Sequence, residues 1–157
     1  MTKQIIYMIG LPGTGKSTYI QNNLLANAVV ISNDLILEDF CKEKGLTYTE
    51  AYGKLPYPII QEQCFDQFYK AIKNGIPNII IDNTNLTISS RKKYRAVGYD
   101  LFGIIFDIKN EDEHQRRLKQ REEQGKVIPP EIIKDMKERY EPPCILEGFN
   151  SFWHIEV

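Results

Sequence analysis

The sequence has no excess of positive charge, only three cysteines, two histidines and one tryptophan in 157 residues, and no long apolar run. Each shortage excludes something. Without a long apolar run no helix is expected to span a bilayer, and no membrane partner is expected. The opening MTKQIIYMIG is too short and too soon interrupted to read as a secretory leader. Cys41, Cys64 and Cys144 are odd in number and far apart, which argues against a disulfide framework or a zinc site. They read as reduced thiols of a cytoplasmic protein, filling small apolar gaps. His114 has no second histidine near it to suggest a metal and reads as a surface residue. A net charge of −1 gives no global field to attract a polyanion, so any nucleic-acid partner must meet a local basic groove.

What is present is an alternation of short apolar runs with polar, helix-like stretches, the pattern of a parallel α/β sheet. Gln4–Ile9, Ala28–Ser32, Asn78–Ile81, Phe102–Ile108 and Phe152–Val157 read as five strands. Helices are expected from Lys16, from about Leu35, over Pro58–Asn74 and over Glu111–Glu123, with another opened by Pro130 and closed by Pro142 and Pro143. Ser89 or Ser90 is expected to cap a basic helix over Arg91–Val97. The expected architecture is a three-layer sandwich around a five-stranded parallel sheet, forming one domain over residues 1–157.

Four motifs carry chemistry. Gly10-Leu11-Pro12-Gly13-Thr14-Gly15-Lys16-Ser17-Thr18 lies between the first strand and the first helix and matches the phosphate-binding loop. Gly13 and Gly15 let successive backbone N–H groups, with that of Thr14, point at one anion. The positive end of the following helix, with Ser17 and Thr18, adds to the cradle. Lys16 is suited to the β and γ phosphates, and the Ser17 hydroxyl to Mg2+; ATP is the expected nucleotide. Asp34, in Ser32-Asn33-Asp34, follows the second strand, where it could take the proton of an attacking hydroxyl. It could equally cap the helix that begins there. Asp82, ending Ile79-Ile80-Ile81, has the form of a magnesium-binding carboxylate or of an ordinary strand-end turn residue. Thr84 and Asn85 beyond it could bind substrate or pin the loop. Arg117 and Arg121 share a helical face ahead of Gln124-Gly125-Lys126, as mobile lid arginines would, although Glu111, Asp112, Glu113, Glu122 and Glu123 could simply neutralise them. Tyr48, Tyr52, Tyr57, Phe65 and Tyr69, among Lys42, Lys44 and Lys54, could stack bases or cover a small core.

Taken in order, GLPGTGKST, SNDLI, IIIDNTN and the stretch VIPPEIIKDMKERYEPPCILEGFNSFWHIEV resemble the 5′-kinase domain of polynucleotide kinases through nearly the whole chain. The resemblance implies a P-loop NTPase fold with a helical lid over about residues 112–130. It also implies transfer of the γ-phosphoryl of ATP to the 5′-hydroxyl of DNA or RNA ends. Asp34 falls on that family's general base, Lys16 and Ser17 on its ATP and magnesium contacts, and Asp82 on its acidic residue after the third strand. Arg121 falls on the lid arginine, with Arg117 a second candidate. Where some members carry an acceptor-phosphate arginine after the base, this chain has Leu35, Ile36 and Leu37. The Asp-x-Asp-x-Thr phosphatase signature is absent, so no 3′-phosphatase activity is expected. A kinase of a small metabolite or nucleoside on the same scaffold is the alternative, and a nucleotide-dependent binding module a more distant one. On the kinase expectation, Lys42–Tyr69 and Arg91–Arg95 would form an open, positive channel on the Asp34 side.

Overall fold

The computed structural model describes residues 2–157. Its centre is a five-stranded sheet built from β1 (Gln4–Ile9), β2 (Ala28–Ile31), β3 (Asn78–Ile81), β4 (Asp100–Asp107) and β5 (Ser151–Glu156). The strand order is β2-β3-β1-β4-β5. Every pairing is parallel, with Ile5 opposite Ile79 and Leu101, and Ile31 opposite Ile81. Helices cover both faces, so alternate residues of β1 serve different cores. Ile5, Tyr7 and Ile9 pack with Phe68, Ile79 and Tyr94 on one face, while Met8 packs with Ile20, Ile80 and Phe106 on the other. Tyr7 is wholly buried, and its hydroxyl is satisfied by donating to the Tyr94 carbonyl (3.1 Å) and accepting from the Tyr94 N–H (2.9 Å).

The helices are α1 (Lys16–Asn22), α2 (Asn33–Lys44), α3 (Tyr48–Lys54), α4 (Tyr57–Lys73), α5 (Ile88–Arg91), α6 (Glu111–Glu123) and α7 (Pro130–Arg139). The five-stranded sheet is the one expected from the apolar runs, with ends displaced by one or two residues. One open alternative is decided and one local expectation fails. The cap of α2 is Ser32, whose Oγ accepts from the Leu35 N–H, so Asp34 is released from that duty. The expected basic helix over Arg91–Val97 is instead the single turn α5, ending at Arg91. Its cap is Thr87, with Ser90 reciprocating.

Arg91, the last residue of that turn, is not part of a solvated basic face. It is fully buried, with Nε and Nη2 donating to Glu147 (2.9 and 3.1 Å) and further bonds to the carbonyls of Asn85 and Glu141. Burial pushes the Glu147 carboxyl up, but the Arg91 hydrogen bonds, the Cys144 N–H and the neighbouring guanidinium charges outweigh it, and the net shift is downward. A guanidinium held in this way ties the loop after β3 to the segment before β5 and cannot serve an open channel.

All three cysteines are free thiols; Cys64 is buried in the core and Cys41 packs against it, so the filler expectation fails only for the exposed Cys144. No helix among the described residues is long and apolar enough to cross a membrane.

Gly103 marks the tightest approach between β4 and β5. A Cβ there would sit 2.7 and 2.9 Å from Phe152 ring carbons and 3.2 Å from the Ile9 Cδ1. Gly103→Ala is therefore expected to lower the unfolding free energy by about 1–3 kcal/mol, the usual cost of overpacking a filled core. A urea titration reads this directly, and an unchanged midpoint would contradict the packing described.

Candidate active site

The loop between β1 and α1 turns on two left-handed glycines, Gly13 (φ 78°) and Gly15 (φ 93°). Thr14 is buried, and its hydroxyl donates to the Leu11 carbonyl (2.8 Å), closing the turn from inside. The Lys16 ammonium lies beneath the loop and donates to the carbonyls of Gly10 (2.9 Å) and Leu11 (2.8 Å). Burial lowers its pKa from 10.5 to about 8; the carboxylates of Asp82 and Asp34 resist that shift and Arg121 adds to it.

Three strand ends converge on this loop. The Ser17 hydroxyl donates to Asp82 Oδ2 at 2.9 Å, bringing together the two candidate magnesium ligands. Burial raises the Asp82 pKa, against the Ser17 hydrogen bond and the Lys16 charge. Asp34, at the start of α2, accepts from the Tyr48 hydroxyl through Oδ1 at 2.8 Å. The loop after β3 is locked by Asn85, a left-handed residue (φ 49°) whose buried amide donates to the carbonyls of Met8, Ile81 and Asn83. The Thr84 carbonyl accepts from the Gly10 N–H (3.0 Å), so this segment braces the phosphate loop. Asn85 thus pins the loop, the structural side of the alternative the sequence left open.

Helix α6 supplies the opposite wall. His114, expected at the surface, is instead fully buried beneath the loop, with Nε2 2.8 Å from the Pro12 carbonyl. Its ring and Leu118 pack where a Cβ on Gly13 would fall, 3.7 and 3.0 Å away respectively. The signal was in the spacing, since His114, Arg117, Leu118 and Arg121 lie three and four apart on one helical face. Arg117 donates to Glu113 (2.7 Å) and to the Thr14 carbonyl (3.2 Å). Hydrogen bonds from Arg116 and Arg117 hold the Glu113 carboxyl down at about 2. Arg121 differs, because its Nε is buried with no hydrogen-bond partner while its charge reaches Lys16, Tyr48 and Asp82.

Between these walls lies a cleft of ≈ 1140 Å³. Gly13, Thr14, Gly15, Lys16, Ser17, Thr18, Asp34, Asp82, Arg117 and Arg121 all line it, so the candidate catalytic, nucleotide-binding and metal residues meet in one place. The pairing of Arg117 with Glu113 is the neutralisation the sequence offered for it, whereas the contact of Tyr48 with Asp34 was not singled out.

The expected positive channel is not found. Of the cations proposed for it, only Lys93 lines the cleft, and the wall beside Asp34 is made instead by Tyr48, Tyr52 and Tyr57. Phe65 belongs to the core, its ring 5.0 Å from that of Tyr94. Lys42, Lys44 and Lys54 are exposed away from the cleft, as suits strongly hydrated ammonium groups. A smaller cavity of ≈ 260 Å³ opens beside Tyr57 and Lys93 and is closed by Met136 and Arg139.

Comparison with known proteins agrees with this geometry. A family model described as an AAA domain matches residues 5–143. Heterogeneous nuclear ribonucleoprotein U-like protein 2 of Mus musculus is 26% identical over 89% of this chain and 20% of its own length. The bifunctional polynucleotide phosphatase/kinase of Schizosaccharomyces pombe is 22% identical over 95% of this chain and 32% of its own. L-seryl-tRNA(Sec) kinase of Methanococcus maripaludis is 27% identical over 88% and 53%. The chain thus spans between about a fifth and a half of the length of these relatives.

Among solved structures, a protein of Chloroflexus aurantiacus described as a kinase superposes with a TM-score of 0.67 at 17% identity, over 99% of this chain and 89% of that one. A chain of the Pnkp1/Rnl/Hen1 RNA repair complex gives 0.62 at 24%, over 89% and 47%. A gluconokinase of Sinorhizobium meliloti gives 0.51 at 17%, over 98% and 82%. At these identities the likeness is one of fold, and it spans kinases of different acceptors. Matched over residues 5–143 and built on a phosphate loop within a five-stranded parallel sheet, the chain belongs to the AAA domain family and has the fold of a P-loop kinase.

Proposed function

We propose that the protein transfers the γ-phosphoryl of ATP to the 5′-hydroxyl of a DNA or RNA end. The observation that carries this reading is the acceptor side of the cleft. There a carboxylate, Asp34, stands among tyrosines, with Tyr52 and Tyr57 more than half exposed. Exposed flat rings beside a proton acceptor suit a terminal nucleoside whose base stacks while its hydroxyl meets the carboxylate. Lys93, which borders both the cleft and the smaller cavity closed by Arg139, offers the phosphates beyond that nucleoside a path outward. The printed names of the polynucleotide phosphatase/kinase and the RNA repair complex support the same acceptor class.

The roles follow from the geometry. The loop amides and Lys16 hold the β and γ phosphates. Ser17 and Asp82, two hard oxygen donors held together, would hold Mg2+. When bound, the ion neutralises phosphate charge and lines up the γ-phosphoryl. Asp34 orients the acceptor hydroxyl and takes its proton as the new O–P bond forms and the bond to the β–γ bridging oxygen breaks. Arg121, whose Nε has no protein partner, stabilises the charge of the moving phosphoryl group; Arg117, held by Glu113, braces the loop at the Thr14 carbonyl. The protein is taken to act in the cytoplasm.

Lys16 gives this reading a pH signature. Without nucleotide its pKa is lowered to about 8, whereas phosphate oxygens placed against the ammonium would raise it. Above about pH 8 the free protein then carries fewer protons on this group than the complex does. ATP binding should therefore take up protons, and affinity should fall as pH rises further. Titration calorimetry at pH 8.5 in two buffers of different ionisation enthalpy measures the uptake; equal heats in both would contradict it.

The acceptor is tested by a panel of labelled phosphate recipients. With magnesium and γ-labelled ATP, 5′-hydroxyl oligonucleotides should be labelled more efficiently than nucleoside 3′-monophosphates, and sugars not at all. Efficient labelling of a sugar or free nucleoside with none of any oligonucleotide would replace this reading by a small-metabolite kinase. Nucleotide hydrolysis that no acceptor alters would replace it by a nucleotide-dependent binding module.

A further inference from the structure

Tyr48 is held at three points. Its backbone opens α3, whose N-terminus is fixed by the reciprocal bonds of Thr47 and Glu50: the Thr47 N–H donates to Glu50 (2.8 Å), and the Glu50 N–H to the Thr47 hydroxyl (3.3 Å). The Lys126 ammonium, from the loop after α6, stands 5.4 Å from the centroid of its ring. That same ammonium is bonded at 2.5 Å to Glu38 on α2. The phenol tip donates to Asp34 Oδ1 at 2.8 Å. An aromatic side chain fixed at its base, its face and its tip has lost most of its rotamer freedom, which is what a rigid support for another group requires.

We infer that Tyr48 is a positioning residue: it holds the Asp34 carboxylate in the rotamer that turns its other oxygen, Oδ2, to the acceptor hydroxyl, and Lys126 fixes Tyr48 from the lid side. The inference rests on the reading of Asp34 as the base but not on which alcohol is phosphorylated. A free carboxylate on a helix's first turn would rotate among rotamers, and only some of them aim an oxygen at the γ-phosphoryl. The hydrogen bond removes that freedom. Burial, and after it the Asp34 charge and the hydrogen bond itself, keep the phenol protonated, so it remains a donor through the reaction and its proton stays in place. The proton that moves is the acceptor's, taken by Asp34. The salt bridge of Lys126 with Glu38 spans from the loop after α6 to α2, the helix that carries Asp34, so the order of the lid loop and the aim of the base are mechanically linked.

The test compares kcat and KM in three variants of the full chain. Tyr48→Phe keeps the ring, its place over Tyr52 and its contact with Lys126, so a fold defect is not expected. It should lower kcat roughly 10- to 30-fold, the scale of a hydrogen bond to a charged group, with the acceptor KM within about twofold. Asp34→Asn with Tyr48→Phe should be no slower than Asp34→Asn alone, because a support for an absent base has nothing left to aim. Lys126→Met should lower kcat in the same direction by a smaller factor. Unchanged kcat in Tyr48→Phe overturns the inference. So does a rise in acceptor KM alone, which would make Tyr48 a stacking wall, or a full penalty persisting in the Asp34→Asn background. Near-native activity of Asp34→Asn by itself would instead remove the base reading, which keeps the two failures distinct.

Discussion

Lys16→Ala should abolish measurable phosphoryl transfer, by a factor on the order of 10²–10³ or more, while the protein stays folded. The factor is the usual cost of deleting one preorganised electrostatic contact to a developing charge. Folding should survive because the Lys16 ammonium hydrogen-bonds to the carbonyls of Gly10 and Leu11, and removing it loses no apolar core. The sign of the stability change follows from the shifted pKa. Unfolded, the group binds its proton up to its ordinary value of 10.5, and folded only to about 8. Protonation at neutral pH therefore favours the unfolded chain, and wild-type stability gains from this group as pH rises between those two values. The alanine variant should lack that gain and be no less stable at pH 7. Single-turnover assays at saturating ATP, with a thermal melt beside them, measure both parts. Comparable turnover in the variant would take the phosphate loop out of the mechanism.

Asp34→Asn should lose about 10²-fold or more in kcat with ATP affinity nearly intact, the scale of removing a general base. The structure sharpens this expectation. Were Asp34 only a helix cap, the asparagine variant would keep its activity, since asparagine caps as well as aspartate. With Ser32 making the cap bond, Asp34 has no such structural duty, and its one hydrogen bond in the structure comes from Tyr48, a donor that an asparagine oxygen also accepts. Isotopically labelled acceptor and a competition assay with an ATP analogue separate the two effects. Near-native transfer by the asparagine variant would remove Asp34 from the chemistry.

How much of this was legible in the sequence differs between elements for physical reasons. The strands could be read because a parallel strand buried on both faces must be almost wholly apolar, as in Ile79–Ile81 of β3. The phosphate loop could be read because its backbone demands glycine at fixed places, and Gly13 and Gly15 occupy them with positive φ. Contacts between distant residues were hidden. Nothing near Arg91 in sequence announces Glu147, so a buried ion pair looked like part of a basic helix. His114 sits in a highly charged helix, and only the loop lying against it makes it internal. The aromatic wall beside Asp34 is half legible: the tyrosines stand out in the sequence, but residue type alone does not separate Phe65, turned to the core, from Tyr52 and Tyr57, turned to the cleft. The lysines misled because exposed ammonium groups are common on any surface, and only one of those proposed, Lys93, lies where the acceptor would pass.

That difference bears on how an acceptor is held. A cleft with an aromatic wall and few cations favours stacking of the terminal base over long-range attraction of a polyanion, consistent with a net charge of −1. Leu35, Ile36 and Leu37 follow Asp34, and the last two of them are buried. On the proposed reading no arginine there is placed to grip the acceptor's first phosphate, and affinity would come from the tyrosines and from Lys93.

The central claim is that the moving phosphoryl group lands on a 5′-hydroxyl. It is met most directly by giving the protein, with magnesium and γ-labelled ATP, two copies of one short oligonucleotide that differ only in a 5′-hydroxyl or a 5′-phosphate. Label should appear on the 5′-hydroxyl strand, be removable by a 5′-phosphatase, and be absent from the blocked strand. Equal labelling of both strands, or of neither while a sugar in the same tube takes the label, would contradict the account.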